Sequence, residues 1–155
     1  MTPETLDRAG IAARIPHAGP MCLLDRMTSW RPEAIECVAV NHRDPDHPLR
    51  SASGLLASAT IEYAAQAMAL HGAIAGAAAG RAAGPGVLAS ARDVRLACLR
   101  LDDLPLADPD VLVVAAERHA ADATRILYAF SVRHGGRELA TGRVTVVLDA
   151  PEGVR

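Results

Sequence analysis

The chain has 155 residues, half of them hydrophobic but only 3% aromatic, and a formal net charge of -2. That length fits one domain, residues 1–155, with a core built from Ala, Val, Leu and Ile. The charge balance argues against a nucleic-acid binder, which carries a basic excess or stripe. All 16 basic residues are arginine, so Schiff-base chemistry on lysine is excluded. Cys22, Cys37 and Cys98 are widely spaced and odd in number, which fits a reduced, cytoplasmic protein better than a disulfide framework. The six histidines show no metal-ligating spacing, so no metal site is expected.

In chain order, residues 1–14 read as a short amphipathic lead-in, with Pro3 and Glu4 suited to a helix start. Ile15 to Pro20 is a loop punctuated by two prolines and a glycine. Met21 to Trp30 reads as a strand. Glu33 to Asn41 reads as a second, with Ile35, Cys37 and Ala39 on one face. The polar stretch Asn41 to Pro48, which holds His42 and His47, bounds it. Leu55 to about Ala78 predicts one long helix, apolar on most faces. Its Glu62, Gln66 and His71, and its reliance on alanine and glycine, favour a buried helix over a membrane span. The Gly76–Gly86 segment ends the helix. Period-two patterns then predict strands at about 86–101, 110–120, 124–134 and 138–149, with turns at Asp102-Asp103, Ala121-Asp122 and His134-Gly135-Gly136. The tail from Ala150 is expected to be loosely ordered. Two strands, one helix and a four-strand meander make an α+β architecture, an antiparallel sheet wrapped around the helix.

Glu62 is the residue that most suggests chemistry. An ionised carboxylate in an apolar helix is costly unless it is paired or catalytic. The residues that could work with it as a base are His47, His42 and His17. Gln66 lies one turn beyond Glu62 on the same face. His71 reads as structural, and His119 and His134 as exposed.

Two segments together resemble those of the hotdog-fold β-hydroxyacyl-acyl-carrier-protein dehydratases. Ile15-Pro16-His17-Ala18-Gly19-Pro20-Met21-Cys22-Leu23-Leu24-Asp25-Arg26-Met27 is similar to the family's entry segment, and Ile61-Glu62-Tyr63-Ala64-Ala65-Gln66-Ala67 to its central-helix motif. The meander matches in length and order. The family's Gly-His-Phe-Pro loop is replaced by Asp46-His47-Pro48-Leu49, as in a divergent branch similar to aryl-polyene or polyketide-type dehydratases.

The resemblance implies elimination of water from a (3R)-3-hydroxyacyl thioester to give a trans-2-enoyl thioester. A histidine would take the C2 proton and a carboxylic acid, Glu62, would protonate the leaving hydroxyl. The start of the helix, around Gly54, Ala57 and Ser58, would bind the thioester oxygen through backbone N–H groups. No cofactor is implied beyond the phosphopantetheine of an acyl carrier protein, or coenzyme A, that carries the substrate. Arg92, Arg95 and Arg100 are candidates to meet an acidic carrier or to form a solvated strand face. A homodimer is implied, or a heterodimer with a related subunit, with an acyl tunnel beside Ala59, Ala65 and Ala69. Two other readings stay open: a hotdog acyl thioesterase, and a catalytically silent or acyl-binding subunit.

Overall fold

The computed structural model describes residues 2–80 and 86–148. Residues 81–85 of the expected Gly76–Gly86 connection, and the expected tail from Ala150, lie outside the described residues. The short helix α1 (Arg8–Ala12) starts later than Pro3 and Glu4 suggest, because Asp7 caps it by accepting the Gly10 N–H. Strands β1 (Arg26–Arg31) and β2 (Ala34–Ala39) form the first hairpin. A 3-10 turn at Ala57–Ala59 leads into α2 (Thr60–Ala78). Strands β3 (Gly86–Leu96), β4 (Leu112–Ala121), β5 (Arg125–His134) and β6 (Arg137–Leu148) complete one antiparallel sheet of order β1-β2-β4-β5-β6-β3.

The expected first strand is shorter than its apolar run. Cys22, Leu23 and Leu24 are buried in succession but lie outside the strand, which starts at Arg26. The Leu23 N–H is instead accepted by the Gln66 side chain of α2. The strand expected at 86–101 ends at Leu96, and 97–111 is an irregular connection. Its end is recruited by the entry to α2: Leu101 N–H donates to Leu55 O, and Ala57 N–H donates to Leu99 O. The β5–β6 turn is the expected glycine pair, with φ of +56° at Gly135 and +78° at Gly136.

Helix α2 packs on β2, β4 and β5. Tyr63, Ala64, Ala67, Leu70 and Ile74 meet sheet residues such as Val114, Phe130 and Val132 in the core. Small residues at Ala64 and Ala67 let the helix lie close to the sheet. Positions Glu62, Ala65, Ala69, Ala73 and Gly76 fall on a face of α2 that the sheet leaves partly uncovered. No helix among the described residues is long and apolar enough to cross a membrane.

Candidate active site

The entry segment and the helix motif, far apart in the chain, meet at Glu62. Gln66, fully buried, accepts the Leu23 N–H at 2.9 Å and donates to Met21 O at 2.7 Å. It thereby ties the entry segment to α2. The same amide nitrogen donates to Glu62 Oε1 at 3.2 Å. That places His17 over the first turn of α2, with Nε2 3.1 Å from Glu62 Oε1. The His17 side chain is 27% exposed and that of Glu62 35%, so both reach solvent and neither is sealed in the core. His17 Nδ1 is turned inward and has no hydrogen-bond partner. Nε2 is therefore the nitrogen that faces the carboxylate.

His47 belongs to a different network. Its Nδ1 accepts the Leu49 N–H at 3.0 Å, so the neutral ring carries its proton on Nε2. Nε2–H then donates to the Tyr63 hydroxyl at 2.8 Å, and that hydroxyl donates to Asn41 Oδ1 at 2.6 Å. Burial lowers the pKa of His47 and raises that of Tyr63, which favours the neutral form of both. With no free lone pair, His47 braces the loop against α2. His42 is also buried but lies at the far end of β2, near Asp110 and His134. Of the three candidate histidines, only His17 reaches Glu62.

Among the residues expected to bind the thioester, Gly54 and Ala57 are buried with their N–H groups engaged, by Ser51 O and Leu99 O. Ser58 is the exposed position of that turn. Gly54, at φ +93°, lies against the Arg100 guanidinium, which a Cβ there would meet at 2.5 Å. Arg100 is held by Asp102 through bonds of 3.0 and 2.7 Å, and Asp102 also accepts the Leu55 N–H at 3.0 Å. Arg50 adds a contact at 3.2 Å. Arg100 is thus a brace for the helix entry. Arg92 faces Arg143 across the β3–β6 pair, on an exposed strand. His71 is structural as expected: buried, its Nε2–H donates to Arg31 O and its Nδ1 accepts from the Tyr128 hydroxyl. His134 is buried, not exposed, because Asp110 accepts its Nε2–H at 2.7 Å. The sequence reading missed Tyr63, Asn41, Asp102 and Asp110. Tyr63 lies beside Glu62 in the helix motif, Asn41 opens the polar histidine stretch and Asp102 sits in an expected turn, but spacing alone marks none of them as a partner of the site.

A groove lined by Ser29, Glu36, Ala115, Glu117, Ala129 and Ser131 includes neither His17 nor Glu62.

The sheet, its order and the helix it covers define a hotdog fold. The chain belongs to the ApeP-like dehydratase family: the model for ApeP dehydratase matches residues 9–152. Among solved structures, the dehydratase heterocomplex ApeI:P from Xenorhabdus doucetiae matches with a TM-score of 0.78 and 22% identity, over 90% of this chain and 91% of that chain. A hypothetical thioesterase with coenzyme A from Streptococcus pneumoniae matches at 0.54 and 13% identity, over 80% and 84% of the two chains. The PaaI protein of the Escherichia coli phenylacetic acid degradation operon matches at 0.54 and 9% identity, over 78% and 80%. No curated protein matches this chain.

Proposed function

We propose that the protein is a 3-hydroxyacyl thioester dehydratase whose acid/base pair, His17 and Glu62, comes from a single chain. The observation that carries this reading is the 3.1 Å approach of the partly exposed His17 Nε2 and Glu62 Oε1 in a chain of the dehydratase family. In the forward reaction, neutral His17 takes the C2 proton on Nε2. The C3–O bond breaks, and the leaving hydroxide takes the proton of the Glu62 carboxylic acid to depart as water. The electron pair of the C2–H bond becomes the second bond between C2 and C3. His17 is left protonated and Glu62 ionised, and the proton returns across the short contact between them. The thioester oxygen is placed at the start of α2, toward Ser58, where the helix dipole favours developing negative charge.

The substrate is a 3-hydroxyacyl group on an acyl carrier protein or coenzyme A, and the product belongs to polyene or fatty-acid-like synthesis. The uncovered alanine and glycine face of α2, with Glu62 near one end, suits an acyl chain or a second subunit. A heterodimer with a related dehydratase subunit is the assembly proposed, by likeness to the heterocomplex. The test is turnover of a 3-hydroxyacyl thioester followed by ultraviolet absorbance of the conjugated enoyl product, with free thiol monitored in parallel. Enoyl formation without thiol release supports a dehydratase. Thiol release would instead make it a thioesterase. Absence of both, with and without the related subunit and on both carriers, would make the chain a silent partner.

A further inference from the structure

We propose that His42, Asp110 and His134 form a binding site for a divalent transition-metal ion, best suited to Zn2+, that clamps together the loops leading to the active-site helix. The sheet register assembles the three residues. Ala39 pairs with Leu112, and Leu112 pairs with His134, so the ends of β2 and β5 and the start of β4 are level. His42 follows β2, Asp110 precedes β4, and His134 closes β5. His134 Nε2 lies 2.7 Å and His42 Nε2 3.4 Å from the same oxygen, Asp110 Oδ1. One ligand atom from each residue falls within 4.8 Å of the other two.

The second observation is His42 itself. Its ring is 1% exposed, yet neither Nδ1 nor Nε2 has a hydrogen-bond partner. A buried polar group without a partner costs about 1–3 kcal/mol. Native interiors retain such groups where an ion or water satisfies them. A metal ion at bonding distances of about 2.0–2.2 Å from two imidazole nitrogens and a carboxylate oxygen would satisfy Nε2. Ligand atoms around a tetrahedral Zn2+ stand about 3.3 Å apart, so the 2.7 Å pair of His134 and Asp110 would need to open by about 0.6 Å.

The donor set selects the metal. Two imidazoles and one carboxylate suit Zn2+ or its neighbours, whereas Mg2+ and Ca2+ prefer all-oxygen ligands. Arg43 donates to Asp110 Oδ2 at 2.6 Å and to Oδ1 at 3.0 Å. Its charge opposes a cation, but it also fixes the carboxylate, as second-layer partners of metal ligands do. Arg43 reaches Pro105 O and Asp102 O as well, so the clamp would extend to the connection that straps the start of α2.

The experiment uses the purified protein, stripped of metal and titrated with Co2+ and then Zn2+. The expected result is one equivalent of Co2+ giving visible bands of low-coordinate cobalt, displaced by one equivalent of Zn2+, with a rise in Tm. Ring 15N shifts of His42 and His134 should move on Zn2+ addition while those of His47 and His71 stay in place. His119→Ala should bind unchanged, and folded His134→Ala should lose binding at least tenfold. Two results overturn the proposal: no Co2+ bands in the wild-type protein at excess metal, or bound Zn2+ that leaves the His42 and His134 ring nitrogens unshifted. Both are read on the wild-type chain, so neither depends on a variant folding.

Discussion

Gln66→Met tests how fold and site are joined. Methionine keeps the length and helix preference of glutamine but none of its hydrogen-bonding groups. The substitution deprives the buried Leu23 N–H of its acceptor, Met21 O of its donor and Glu62 of the amide that orients it. Leaving a buried donor and a buried acceptor unpaired costs about 1–3 kcal/mol each. Met21 is only partly buried, so its carbonyl can reach water, which puts the total near 2–4 kcal/mol. For a chain of this size that lowers Tm by about 5–15 °C. Urea unfolding followed by circular dichroism measures the loss. Activity should fall by about tenfold in kcat with little change in KM, because the acid and base lose their alignment and substrate contacts remain. A destabilisation under about 1 kcal/mol with unchanged kcat would refute the assignment of Gln66 as the link.

Three further outcomes follow from the same contacts. Tyr63→Phe leaves His47 Nε2–H and Asn41 Oδ1 without their shared partner and should cost about 2–4 kcal/mol in urea unfolding, while keeping most activity. A collapse of kcat in a still-folded Tyr63→Phe protein would return His47 to the chemistry. Gly54→Ala forces a side chain into a left-handed conformation and against Arg100, and should destabilise by about 1–3 kcal/mol in the same assay. Asp102 gives a pH signature. Hydrogen bonds from Arg100 and the Leu55 N–H hold its carboxyl below the ordinary value of 3.8. Its stabilisation is therefore fully present above that value and disappears as pH falls below it. Asp102→Asn should lower stability at neutral pH and flatten its decline in acid, measured as the urea midpoint against pH.

The alternation of apolar residues from Gly86 onward made the meander legible, and the Gly135-Gly136 pair marked its last turn. The helix was legible because no other element accommodates nineteen residues of such composition between two turn regions. The limits of β1 and β3 were not, because side chains and loops from elsewhere took up their backbone groups: Gln66 for Leu23, and the Leu55–Ala57 segment for Leu99 and Leu101. At the site, Glu62 stood out as a charge in an apolar helix. Choosing among His17, His42 and His47 required knowing which ring nitrogens were already engaged, which depends on Tyr63 and the Leu49 amide folding onto His47. The meeting of His42, Asp110 and His134 depends on strand register across three strands and has no signature in residue spacing.

The central claim is that His17 and Glu62 of one chain carry out the elimination. Its most direct test is the rate of enoyl thioester formation by wild-type protein, His17→Ala, Glu62→Gln and His47→Gln, each with the related subunit present and each checked for folding. The account predicts loss of at least two to three orders of magnitude in kcat for the first two variants, and for His47→Gln a loss of stability with kcat within about tenfold. Full activity in folded His17→Ala, with activity abolished in folded His47→Gln, would contradict it.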